Sequence, residues 1–239
     1  MISIKNLSFS YPTKSGKVSI LNNINFNIKK GEFVSILGHS GCGKTTLVKI
    51  LSGYLEPQTG EVLINNIFSK KPSKKRIMVN QEDDLFPWMT VYENIKLVSN
   101  DEKNISKYLK LTGLIDYKNY YANHLSWGMK KRLSLARGLA VNPEFLILDE
   151  PFSSLDYQTR ENLLIELDNI FSLTQKTILL VTHDIDEAIY LSDRIIVLSD
   201  TPATIKNEIK IDFPHPREIS IVNSKKFIDI KNKIKNHYK

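Results

Sequence analysis

The stretch Gly38-His39-Ser40-Gly41-Cys42-Gly43-Lys44-Thr45 constrains this 239-residue chain more than any other. It follows an apolar segment, Glu32-Phe33-Val34-Ser35-Ile36-Leu37, that reads as a buried strand, and it runs into Lys44 to Gly53, a helical pattern with Leu47, Ile50 and Leu51 on one face. The glycines let the backbone curl until its N–H groups point inward around an anion. The following helix turns its positive end toward the same place. Lys44 adds a mobile point charge, and Thr45 Oγ is an oxygen able to ligate Mg²⁺. The spacing fits G-x-x-x-x-G-K-[ST], with Thr46 directly behind it, and predicts a nucleotide phosphate site; a plain glycine-rich turn is the alternative.

Three other strand ends carry polar groups that such a site needs. Phe145-Leu146-Ile147-Leu148 runs straight into Asp149-Glu150. Adjacent acids at the end of an apolar strand imply something cationic or reactive beside them, or else simple solvation. On the carboxyl edge of a parallel sheet, Asp149 can reach a Mg²⁺ shell and Glu150 can orient or deprotonate an attacking water. His183 follows Ile178 to Thr182, and Gln81 follows Arg76 to Asn80. If these ends share one edge, His183 meets the same phosphate; otherwise it is a core or capping residue.

Strand and helix patterns alternate from Phe145 to Leu198, which implies a parallel sheet with helices packed on it. Short alternating segments before residue 30, with a turn at Ser15-Gly16, read as β-strands. From about Asp84 to Val141 the pattern is helical, clearest over Asp101 to Leu111 and Trp127 to Ala140. A last amphipathic stretch, Ser224 to Asn236, predicts a terminal helix. No segment has the roughly 20 apolar residues of a membrane span, and the first residues lack a signal-peptide pattern, so we expect a chain kept in the cytosol. The one cysteine, Cys42, reads as a small loop residue or a reactive thiol. From Pro202 onward stand nine basic residues against four acidic ones, five of the seven net positive charges. Such a tail can bind nucleic acid or an anionic membrane, or be the solvated face of a helix.

With these motifs in this order, the sequence resembles an ABC-transporter ATPase subunit along nearly its whole length. The resemblance implies an α/β fold: a P-loop NTPase ABC cassette with a parallel-sheet core, an N-terminal antiparallel β subdomain and a helical insertion. It divides the single domain into a core at about 1–83 and 142–200, a helical part at about 84–141 and an extension at about 201–239. It makes Gly38 to Thr45 Walker A, Tyr11 the aromatic on adenine, Gln81 the Q-loop glutamine and a Mg²⁺ ligand beside Thr45 and Asp149, Leu146 to Glu150 Walker B, and His183 the switch histidine. Ser153-Ser154-Leu155-Asp156 matches the D-loop, and Leu125-Ser126-Trp127-Gly128-Met129 the ABC signature.

In the family the signature binds the γ-phosphate held by a second cassette, so ATP and Mg²⁺ are implied as ligands and a second copy of the chain as partner. Ser126 can N-cap the helix from Trp127 and leave its first N–H groups open. Trp127 departs from the usual glycine, and a tryptophan fits only if that position needs no positive φ. Leu85, Phe86, Trp88 and Met89 suit a groove for a helix of a membrane subunit, or else packing within the helical part. That segment and Phe213-Pro214-His215-Pro216-Arg217 resemble the nitrate/sulfonate/taurine branch of importers. The resemblance thus implies permease subunits, a separate solute-binding protein, a place on the cytoplasmic face of the membrane, and no nucleic acid. A soluble ABC ATPase acting on nucleic acid or ribosomes, and a regulatory cassette of weak turnover, are the rival readings.

Overall fold

The computed structural model describes residues 1–14, 16–68, 71–80, 84–153 and 155–238. The turn expected at Ser15 lies partly outside them. A four-stranded antiparallel sheet has the order β2-β1-β4-β5, with β1 at Ile2–Thr13, β2 at Gly16–Ile28, β4 at Thr59–Ile64 and β5 at Ile67–Phe68. β1 and β2 are longer than their apolar alternation suggested. Ile2 and Ile4 are buried at even positions, then Leu7 and Phe9 at odd ones. That change of parity needs an irregularity in the ladder, and the β1–β2 register shifts between Ile4 and Leu7. Asn6 and Asn23 absorb the shift, each at φ 50.

The second sheet has the order β10-β9-β3-β8-β7-β6, with β3 at Phe33–Leu37, β6 at Arg76–Val79, β7 at Phe145–Asp149, β8 at Thr177–Thr182, β9 at Arg194–Leu198 and β10 at Ile205–Lys210. β6, β7, β8, β3 and β9 are parallel, as the sequence predicts; β10 pairs antiparallel with β9. β3 and β8 are buried at every residue, which is why they read as unbroken apolar runs. Their alternate residues feed two cores. Val34, Ile36, Leu179 and Val181 face the antiparallel sheet and helix α1 (Lys44–Ser52). Phe33, Leu37, Ile178 and Leu180 belong to the other core, which residues of α2 (Val91–Lys96), α3 (Glu102–Leu111), α4 (Trp127–Ala140), α5 (Tyr157–Thr174) and α6 (Ile185–Leu191) also share.

β10 escaped the sequence reading because Lys206, Asn207, Glu208 and Lys210 dilute its apolar pattern; such charge is typical of a sheet edge. The segment from Pro202 onward is therefore built into the molecule. Ile209, Ile211, Phe227 and Ile234 are buried, the last two from α7 (Lys225–Tyr238). Lys231 Nζ donates to Asp186 Oδ2 at 2.7 Å, and Lys226 Nζ lies 4.8 Å from the Phe213 ring centre.

Phe213 to Arg217 clasps this segment to the core. Arg217 donates from its guanidinium to the carbonyls of Ile189, Tyr190 and Ser192 at the end of α6, and from its N–H to Asp168 on α5. Burial pushes the guanidinium pKa down to about 10, so it stays charged. His215 Nδ1 bonds the other Asp168 oxygen, and its Nε2 lies 3.4 Å from Asp193 Oδ1. Burial acts to lower the His215 pKa, but the Asp168 and Asp193 carboxylates beside the ring outweigh it and hold it above the usual histidine value. Stability from a raised histidine is complete below its unfolded pKa of about 6.5 and is lost as pH climbs through the folded value. The urea midpoint is therefore expected to fall further from about pH 6 to about pH 8.5 in the parent chain than in His215→Gln. Equal pH dependence in the two proteins would show that His215 is not the group responsible.

Candidate functional site

The loop after β3 is curled by its own lysine. Lys44 Nζ donates to the carbonyls of Gly38 at 2.7 Å and His39 at 2.9 Å. Gly43 opens α1 at φ 109, where no side-chain cap occupies the first N–H groups. A β-carbon on Gly38 would stand 2.5 Å from Cys42 Sγ, so the cysteine fills the space that glycine leaves. Cys42 is buried and burial pushes its thiol pKa up, the surroundings of a packing residue. Thr45 is exposed at the loop's mouth together with His39, Ser40 and Gly41, while Thr46 is buried. Thr201 Oγ1 braces the loop by donating to the Gly41 carbonyl at 3.0 Å.

The strand register places the other groups at the same edge. Leu37 pairs with Thr182, and Asp149 with Val181. Glu150 Oε1 lies 3.7 Å from Lys44 Nζ, and Glu150 Oε2 lies 3.2 Å from His183 Nδ1. The carboxylate thus stands between the lysine and the histidine that the sequence assigned to one site. It is aimed there by an uncommon backbone: Glu150 has φ 45, its N–H donates to the Val181 carbonyl at 2.9 Å, and its carbonyl accepts from Ser153 N and Oγ. A left-handed non-glycine residue costs about 1–2 kcal/mol, which these bonds offset. Burial, then the neighbouring Glu150, push the Asp149 pKa up to about 6. Tyr11, on β1, is 38% exposed, packs edge-on against Phe9 at 4.9 Å and has its hydroxyl 3.5 Å from Thr46 Oγ1. Gln81 and Ser154 lie outside the described residues.

Ser126 to Met129 do not join that cluster; they open α4. Ser126 is the N-cap and its Oγ accepts from Met129 N at 3.3 Å. Trp127 is the first helical residue and needs no positive φ, so the departure from glycine is accommodated without backbone strain. Gly128 is held against α5: a β-carbon there would meet Thr159 Cγ2 at 2.6 Å. Asp156 caps α5, accepting from Thr159 N at 3.0 Å, and Leu155 packs against the core.

Two groups of residues around the site were not found from sequence. Arg160 on α5 pairs with Asp184 and, at 2.7 Å, with Glu187. These acids open α6 directly after His183, and Thr182 Oγ1 donates to Glu187 and accepts from Asp184 N. The turn that carries His183 is thereby fastened to α5. Asn94, fully buried on α2, is the second. Its Oδ1 accepts Phe86 N–H at 3.0 Å, and its Nδ2 bonds the carbonyls of Phe86, Met89 and Thr90. A lone polar residue in a helical pattern gives no sequence signal of the partners its side chain will take.

The pattern of the ABC transporter family matches residues 21–153. The aliphatic sulfonates import ATP-binding protein SsuB of Bacillus cereus is 41% identical over 98% of this chain and 94% of its own. The bicarbonate transport ATP-binding protein CmpD of Synechococcus elongatus is 38% identical over 96% of this chain and 87% of its own. The dimeric post-hydrolysis structure of the ATP-binding cassette MJ0796, bound to ADP and Pi, superposes with a TM-score of 0.77 at 34% identity, covering 90% of this chain and all of that one. With that match across the edge that carries Lys44, Glu150 and His183, the chain belongs to the ABC transporter family of ATP-binding cassettes and is an ATPase.

Proposed function

We propose that this cassette energises an importer of a small solute, of the sulfonate, nitrate or bicarbonate kind that its relatives are named for. The observation that carries the reading is the loop framed by Asn94. Phe86 and Trp88 meet edge-on at 5.6 Å, and Trp88 is 68% exposed. Beside Asp84 of the same loop opens a cleft of about 270 Å³, bounded by Tyr54, Val79, Asn80 and Gly138. An exposed aromatic pair on a fixed loop suits the insertion of a short helix from a membrane subunit. Leu85 packs on the core instead. Among the described residues no helix is long and apolar enough to cross a membrane, so attachment falls to permease subunits, on the cytoplasmic face, with a solute-binding protein on the other side.

Glu150 orients the attacking water and takes its proton as the β–γ phosphate bond breaks, and His183 steadies the carboxylate and the γ-phosphate. Lys44 supplies charge to the outer phosphates, and Tyr11 stacks on adenine. Thr45, exposed at the loop's mouth, and Asp149, a carboxylate that burial and Glu150 make hard to ionise alone, are oxygen donors of the kind Mg²⁺ takes, and Gln81 would be a third. When bound, Mg²⁺ neutralises charge on the phosphates. Ser126 and the first N–H groups of α4, with Gly128, Met129 and the D-loop at Ser154 to Asp156, complete the ATP site of a second copy.

Trp88→Asp is expected to cut the permease recovered with the tagged cassette at least about tenfold, with ATP affinity unchanged. Undiminished recovery would remove this loop from the interface.

A further inference from the structure

Trp127 stands where an intruding side chain could block the signature, yet the local structure gives it a defined place. Gly128 is pinned to Thr159, which fixes the first turn of α4 against α5. Trp127 lies about 100° around the helix from that contact. Its indole is stacked by Lys131, one turn on, whose ammonium is 4.9 Å from the ring centre. Lys131 is only 3% exposed, whereas Trp127 is 45% exposed. One side of the ring is thus committed to a buried cation within the chain. The residue is otherwise open to solvent at the very start of α4, directly after the N-cap Ser126.

We infer that Trp127 is an aromatic seal which each copy contributes to its partner's ATP site. The inference rests on the proposed trans arrangement, in which Ser126 and the α4 amides meet the partner's nucleotide. Trp127 sits between those groups in the chain, so a contact that engages them also covers the indole. A large apolar ring there displaces water beside the amides, and hydrogen bonds to phosphate strengthen as water leaves. The occupant is a second copy carrying a nucleotide, and the ring adds to closure rather than disabling it. Substitution by the family's usual glycine then weakens closure instead of restoring it.

The chain has two tryptophans, so Trp88→Phe makes Trp127 the sole indole reporter. In the full-length Trp88→Phe/Glu150→Gln protein, ATP is expected to shift the Trp127 emission to the blue and to lower its acrylamide quenching as the dimer forms. Trp127→Ala, in the Glu150→Gln chain, is expected to raise the dissociation constant of the ATP-bound dimer about tenfold or more. Trp127→Phe should retain much of the affinity, and Trp127→Gly should behave as Trp127→Ala. Light scattering and circular dichroism on the same samples give mass and folding. An ATP-bound dimer in which Trp127 is quenched as in the monomer, or which Trp127→Ala forms equally tightly, overturns the seal and leaves the trans reading standing. Failure of ATP to produce any dimer overturns both.

Discussion

Glu150→Gln is expected to lower ATP turnover by about 10²–10⁴-fold and to leave an ATP-loaded dimer that elutes at twice the monomer mass. The substitution keeps the size of the side chain and an oxygen for Lys44 or His183, but it removes the group that accepts the proton from water. The left-handed turn should survive, because it is held by backbone groups: Glu150 N–H on the Val181 carbonyl, and Ser153 N–H and hydroxyl on the Glu150 carbonyl. The urea midpoint should therefore match the parent's, which separates lost chemistry from lost folding. An ATP-saturated monomer would count against the dimer scheme, and retained turnover would remove Glu150 as the base.

The largest effect on stability is expected at Asp168, far in sequence from any nucleotide motif. Asp168→Ala should cost about 3–5 kcal/mol. Its carboxylate is buried and receives both the Arg217 backbone N–H and the His215 ring, so its loss leaves that N–H unpaired, leaves the ring with Asp193 alone and removes a negative charge beside the Arg217 guanidinium. The clasp over the ends of α5 and α6 would loosen, and the segment from Phe213 to α7 should become the first site of proteolysis. A denaturation midpoint shifted by less than about 1 kcal/mol equivalent would show that the cluster contributes little net energy.

What could be read from sequence was what short stretches encode. The phosphate loop is contiguous, its glycines are required by its curl, and the strands β3 and β8 are mostly apolar because both faces are covered. Ser126 as N-cap and the helix Trp127–Ala140 are equally local. The outlines of β1 and β2 were not legible, since two asparagines in left-handed conformation reset the alternation partway along each strand. β10 was hidden by its charges. The Arg160 and Asp168 networks join residues whose partners are fixed only by the finished fold, and the Asn94 bonds need the turn before α2 already formed. Trp127 was visible as an anomaly, but whether it obstructs depends on the first turn of α4, where Gly128 and Lys131 orient it.

The Asn94 clamp separates two jobs that a binding loop usually combines. Backbone shape from Phe86 to Thr90 is dictated by a side chain buried beneath it, while the outward side chains take no part in those bonds. On the proposed reading, Phe86 and Trp88 could therefore be exchanged to change the docking face while the Asn94 bonds keep the loop's shape. A lineage that duplicates such a gene has a short route to pairing one engine with a new membrane channel.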